Sequence, residues 1–175
     1  VYVGGSSESG DGFSTFTMAG GTITGNTSLD EKGTAKGAGV TADAGTTIVL
    51  SGDAVISGNT VGNEADASNI WAGNVFLNGT GTLNAKIELA GDFTGTVGVA
   101  GAWSGANEPG GIFGLHHDHT GAGNFSNDVT GLTGTIDDKG NLVWADGNHL
   151  YVATWGNDET GDGTRLKPYR TITRA

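Results

Sequence analysis

The stretch "MAGGTITGNT" at residues 18–27 is rewritten as "LSGDAVISGNT" at residues 50–60. Both copies run from a large apolar residue through a glycine-containing corner into Ile-Thr/Ser-Gly-Asn-Thr. Ile23 and Ile56 stand 33 residues apart, as do Asn26 and Asn59, while "FTM" at 16–18 precedes "IVL" at 48–50 by 32. Self-similarity at a near-fixed step is the mark of a repeat architecture. The "VYV" at 1–3 is echoed by "VTA" at 40–42 and "VFL" at 75–77, each ahead of another apolar triplet, and a looser third copy runs "NVFLNGTGTLNAKIELAG" at 74–91. The segments between copies, "SLDEKGTAKGAG" at 28–39 and "VGNEADASNIWAG" at 61–73, are small and polar, and read as protruding loops.

Each course then contains about three short strands joined by glycine-rich corners. Strands this short cannot bury a face alone, so each course must stack on the next, which describes an all-β parallel β-helix, a three-sided solenoid. Alternation sends Phe16 and Met18, and likewise Ile48 and Leu50, inward, with Thr17 and Val49 outward. Ile23 and Ile56 become core rungs. Asn26 and Asn59 become corner residues one above the other, where an asparagine tolerates left-handed geometry and its amide bonds along the stack. A β-sandwich also uses short strands at regular spacing, but nothing in it requires identical corner residues at a fixed step.

Composition fits this picture. Of 175 residues, 34 are Gly and only 2 Pro, with no Cys. Glycine at that level is far above the ordinary ~7%. It shows no collagen period, and recurring apolar triplets separate it from a disordered linker. The absence of cysteine excludes disulfides and thiolate chemistry. The net charge is −11; a surface this acidic repels phosphate backbones, which argues against nucleic-acid binding. No stretch is apolar enough for a membrane span, and nothing resembles a signal peptide.

"FTMAGGTITGNT" followed by "GAGVTA" resembles the repeats of large bacterial surface proteins, adhesin-like or of the polymorphic outer-membrane type, which read "GGTISGNT" and then "GGGVYV". The likeness covers roughly residues 1–100, with "GAGVTA" lacking the aromatic and "GDAVISGNT" carrying one extra residue. It implies a right-handed β-helix at the cell surface. Residues 92–147, including "TVGVA", "GIFGL" and "NLVWA", read as an irregular closing segment, since a solenoid end otherwise exposes strand edges and apolar side chains. Residues 148–175 resemble the opening of another right-handed β-helix through Tyr151-Val152, Gly156-Asn157-Asp158, Gly163-Thr164, Lys167-Pro168-Tyr169 and Thr171-Ile172. Residues 1–91 are thus expected to be the last courses of one β-helix, within a longer tandem protein.

Candidate chemistry is sparse. In "GLHHDHTGAG", His117 and His119 share one face of an extended segment, the i, i+2 spacing of two metal-binding imidazoles, although a stable site needs three or four ligands. In "NDETGDGT", Asp158, Glu159 and Asp162 lie close together beside glycines as oxygen ligands for calcium would, or as turn residues bonded to their own backbone. Asp137-Asp138 has the paired carboxylates that glycoside hydrolysis needs, next to an Asp-Lys-Gly-Asn turn signal. Trp71, Trp103, Trp144 and Trp155 are candidates for stacking on sugars, or for anchoring loops and plugging a cap.

The expectation is a non-catalytic, extracellular structural or adhesive segment with no resident cofactor. Its partners would be a host or cell-surface glycan or protein, tandem β-helices of the same chain, or a second copy end to end. The alternative is a carbohydrate-binding or polysaccharide-degrading β-helix module with its site on neighbouring courses.

Overall fold

The computed structural model describes residues 1–4, 14–32, 35–79, 84–101, 112–116, 121–129, 131–137, 140–144, 152–161 and 168–173, with backbone alone at 67 and 112–116. The apolar triplets become strands because their alternating side chains have one buried side and because glycines end them within a few residues. Gly20 and Gly21, Gly25, Gly45, Gly52 and Gly58 all take positive φ at such ends.

In chain order the strands are β1 (Tyr2–Val3), β2 (Thr15–Met18), β3 (Thr22–Ile23), β4 (Thr27–Asp30), β5 (Val40–Ala42), β6 (Thr47–Gly52), β7 (Val55–Ile56) and β8 (Thr60–Asn63). They continue as β9 (Asp66–Ala72), β10 (Val75–Leu77), β11 (Lys86–Phe93), β12 (Thr96–Gly101), β13 (Ile112–His116), β14 (Phe125–Asn127), β15 (Gly134–Ile136) and β16 (Asn141–Trp144). A single 3-10 turn, Ala122–Asn124, is the one helical element among the described residues.

The protein is all-β, and most of its pairing is parallel. One sheet has the order β1-β5-β10-β12-β7-β3 with β14 beside β12; a second runs β15-β16-β13-β11-β6-β2; a third is β4-β8-β9. The registers form columns that step through the sequence in order. Tyr2 lies beside Thr41, Phe76 and then Ala100. Phe16 lies beside Ile48, Ile87 and then Gly114. Ile23 lies beside Ile56, Val97 and then Phe125. The antiparallel pairs among named strands are β8–β9, β13–β16 and β15–β16, so an antiparallel sandwich does not describe the chain.

The inward residues of these columns form one core. Val40, Ala42, Ile48, Leu50, Ile56, Val75, Leu77, Ile87, Val97 and Val99 are fully buried in it. Burying each large aliphatic rung contributes roughly 1.5–3 kcal/mol. Phe93 and Phe125 add a tilted ring pair with centroids 5.1 Å apart, near the optimum for aromatic contacts.

Two expectations need correction. The segments at 28–39 and 61–73 are not simply polar loops: Thr27–Asp30, Thr60–Asn63 and Asp66–Ala72 build the third sheet. The turn between β8 and β9 is held by side chains, Asn63 Oδ1 accepting the Ala65 N–H at 2.8 Å and Asp66 Oδ1 the Ser68 N–H at 3.0 Å. Such turns let a polar sequence support a hairpin. Nor does regular pairing change at residue 92. β12 and β14 extend the parallel columns, and β16 then pairs antiparallel with β13 and β15. That return carries the buried Leu142 and Trp144 into the core.

The described residues 152–161 and 168–173 bond to one another. Val152 pairs with Tyr169, the Ala153 N–H donates to the Tyr169 carbonyl at 2.9 Å, and the Asn157 N–H to the Pro168 carbonyl at 3.0 Å.

Candidate functional site

The most highly organised polar group is a column at the corner after β3 and β7. The Asn26 N–H and Nδ2 both donate to Asn59 Oδ1, at 3.1 and 2.9 Å. The Asn59 N–H and Nδ2 both donate to Asn74 Oδ1, at 2.8 and 3.1 Å. The Asn74 N–H then donates to Asp128 Oδ2 at 2.8 Å, and its Nδ2 to Asp128 Oδ1 at 3.0 Å. Each step repeats one geometry, and the last acceptor is a carboxylate, which has no proton to pass on. Asn59 Nδ2 also donates to the carbonyls of Ile23 and Ser57.

The fold brings these four residues together from distant parts of the chain. Asn26 and Asn59 follow Gly25 and Gly58, which carry the left-handed turn at φ 70° and 66°. Asn74 reaches the column because the β8–β9 hairpin returns to its own base, where the Gly73 N–H donates to the Asn59 carbonyl at 3.0 Å. Asp128 follows β14 and is anchored by its own N–H to the Val99 carbonyl at 2.8 Å. Gly98 lets the last pair meet, because a methyl built on it would collide with Asn74 Nδ2 and Asp128 Oδ1. Asn59 and Asn74 are buried, whereas Asn26 is exposed.

Burial pushes the Asp128 carboxyl above its ordinary value, and the two bonds from Asn74 only partly offset this. Its pKa is therefore higher in the folded chain than in the unfolded one. The stability it contributes is fully present below the unfolded value and is lost as pH rises through the folded value. Asp128→Asn, which keeps an acceptor for Asn74 but cannot ionise, is expected to gain stability relative to the parent as pH rises from the acid range to neutrality. Urea midpoints of both proteins at several pH values check this; a pH-independent difference would overturn it.

The sequence pointed to Asn26 and Asn59 and missed Asn74 and Asp128. A Gly-Asn pair precedes the column at 25–26, 58–59 and 73–74 alike, a signal independent of spacing. Ile23 and Ile56 are register neighbours in the adjacent strands, Ile56 fully buried and Ile23 packed against the core at its margin. A smaller polar column occupies another corner, where the Tyr2 hydroxyl donates to Asp43 Oδ2 and Asn78 Nδ2 reaches Asp43 Oδ1 at 3.5 Å.

The remaining candidates divide. Asp158 uses Oδ1 to accept the N–H groups of Arg170 (2.7 Å) and Thr171 (2.9 Å), and Oδ2 to accept the Thr171 hydroxyl at 2.9 Å. Desolvation raises its pKa, but those Thr171 and Arg170 bonds, with the Arg170 charge, outweigh it and hold the carboxyl below its ordinary value. Asp158 thus ties one turn to another. Asp137 accepts the Asn141 N–H at 2.8 Å and the Asn141 amide at 3.0 Å within the β15–β16 turn. His117, His119, Asp138, Asp162 and Trp103 lie outside the described residues. Among the described residues, no group of three or more His, Cys, Asp or Glu is placed to hold a metal ion.

Trp144 is 1% exposed and belongs to the core, whereas Trp71 and Trp155 face solvent. Trp71 shares the third sheet with the exposed Leu29 and Ile70, which flank Gly62 in register. No described helix is long and apolar enough to cross a membrane. Comparison with known proteins finds no matching family model, no matching curated protein and no matching solved structure.

Proposed function

We propose that this chain is part of a right-handed parallel β-helix, a solenoid with a structural and adhesive role outside the bacterial cell and no catalytic task. The observation that carries the reading is the set of register columns, Tyr2–Thr41–Phe76, Phe16–Ile48–Ile87 and Ile23–Ile56–Val97, each following sequence order in parallel. Parallel strands that recur in order, one per side and per course, are what a solenoid requires. The column from Asn26 to Asp128 supports it too, since stacked amides belong to corners repeated at the strand spacing.

The column's groups are amides and a carboxylate bonded to one another, an arrangement that stiffens a corner and leaves no group poised to attack a substrate. Load along the solenoid axis would be shared among parallel ladders and the amide column. The third sheet, projecting Leu29 and Ile70 from one face on either side of Gly62, is the surface offered to a glycan or protein of a host or neighbouring cell.

Single-molecule pulling from the two chain ends tests the mechanical reading. Loss of one course should lengthen the chain by about 105–150 Å, given ~3.3–3.6 Å per extended residue and courses of the observed 32–41-residue steps. A sawtooth with increments of that size is expected. One all-or-none extension of the whole chain would overturn course-by-course resistance.

A further inference from the structure

We propose that Asn78-Gly79 is a site of self-modification, at which the folded chain converts Asn78 through a cyclic succinimide into aspartate and isoaspartate. Asn78 is the one asparagine in the sequence followed by glycine. The amide column is built the other way. Asn26, Asn59 and Asn74 precede Thr27, Thr60 and Val75, whose branched Cβ atoms crowd the nitrogen that would have to close such a ring. Gly79 carries no Cβ and crowds nothing.

The fold aims the reacting groups at each other. The Ala85 N–H donates to the Asn78 carbonyl at 2.8 Å, beside the antiparallel Gly79–Asn84 bridge. That bond makes Gly79–Asn84 a pair that exchanges no bonds of its own, so the Gly79 N–H points away from Asn84. It donates instead to Asn78 Oδ1 at 3.0 Å. Oδ1 is one carbonyl bond, about 1.2 Å, from Cγ, so the side chain is already folded back over the nitrogen that attacks it. The amide nitrogen that must leave is loosely held, since Asn78 Nδ2 reaches Asp43 Oδ1 at 3.5 Å. By contrast, Asn59 Nδ2 and Asn74 Nδ2 are fixed by bonds of 2.9 to 3.2 Å. Asn78 and Gly79 are both partly exposed, which admits water to the corner.

Water is the only co-reactant. The Gly79 nitrogen gives up its proton to solvent base and bonds to Asn78 Cγ. The Cγ–Nδ2 bond breaks, and Nδ2 leaves as ammonia with a proton from water. A second water opens the ring at either carbonyl, giving aspartate or, with the main chain rerouted through Cγ, isoaspartate; nothing is oxidised or reduced. Either product adds a negative charge to a chain already at −11. Aspartate turns a carboxylate toward Asp43 in place of the Nδ2 donor, and like charges at such a corner repel. Isoaspartate also inserts a methylene between Gly79 and the Asn78 N–H, which is bonded to the Ala42 carbonyl at 2.9 Å.

The test holds the whole folded 175-residue chain in mildly alkaline buffer made with heavy-oxygen water. Mass spectrometry of its peptides then reads where label enters. Asn78 is expected to convert at least ~10-fold faster than Asn26, Asn59 or Asn74, a barrier difference of about 1.4 kcal/mol. The rate is expected to fall in mildly acidic buffer, because the attacking nitrogen must lose its proton. Gly79 is not among the glycines at positive φ, so Gly79→Ala and Gly79→Val add a side chain without backbone strain. Each is expected to slow conversion by at least ~10-fold, with the far-UV spectrum unchanged. Conversion at Asn78 no faster than in the amide column overturns the proposal, and so does a rate insensitive to both Gly79 variants. Conversion confined to the chain unfolded in urea overturns it too, because the fold would then shield the site.

Discussion

Asn59→Ala is expected to destabilise the fold by about 3–5 kcal/mol, among the largest effects of any single side-chain truncation. The Asn59 side chain is buried and joins segments distant in sequence: its Oδ1 receives both donors of Asn26, and its Nδ2 serves Asn74 Oδ1 and the Ile23 carbonyl. Alanine removes all of these at once and opens a space lined by polar atoms. Each buried polar atom left without a partner costs about 1–3 kcal/mol. Some loss is softened, because the Ile23 carbonyl keeps the Ser57 N–H and Asn74 Oδ1 keeps the Asn59 N–H. Asn26→Ala, at the exposed end of the same column, is expected to cost under about 1 kcal/mol, since water replaces what it loses. Urea unfolding of both variants measures the contrast; equal losses would mean the column does not act through burial.

How much of this was legible in the sequence depends on which period each feature obeys. Phe16 and Met18 were readable because a strand with one buried face must alternate, as "FTM" does, and Ile48 and Leu50 because "IVL" repeats that strand 32 residues on. Asn26 and Asn59 were readable because they keep the repeat step. Asn74 breaks that step, arriving 15 residues after Asn59, because a hairpin returns the chain to its starting corner. Asp128 has neither the step nor the preceding glycine. It completes the column only because β12 runs straight through a corner, pairing with β7 by one end and with β10 by the other. The hairpin was hidden by its polar composition, since the turn at Asn63 and Asp66 is made by side-chain bonds that leave no hydrophobic pattern. Trp144 looked like any other widely spaced tryptophan. What buries it is the antiparallel return of β16, a tertiary event that no local period encodes.

Gly95→Ala is expected to be the other severe substitution, destabilising the fold by more than about 3 kcal/mol, the upper range for forcing a group into a filled interior. Gly95 lies at the corner between β11 and β12, directly above the Asp53-Ala54 corner between β6 and β7. A methyl there overlaps the Ala54 carbonyl oxygen and stands 2.6 Å from its carbon and 2.9 Å from the Ala54 nitrogen. These are backbone atoms of a buried residue, so no side chain can rotate away. Relief requires β12 and β7 to separate, which strains the 3.2 Å bond from the Thr96 N–H to the Ala54 carbonyl and the Val97–Ile56 pairing beyond it. Gly91→Ala isolates the other reason for glycine. It has open space around it but a φ of 75°, so alanine there meets only backbone strain, on the order of 1 kcal/mol. Thermal or urea unfolding of the two variants separates the effects. A Gly95→Ala protein no less stable than Gly91→Ala would show that Gly95 and Ala54 are not in backbone contact at this corner.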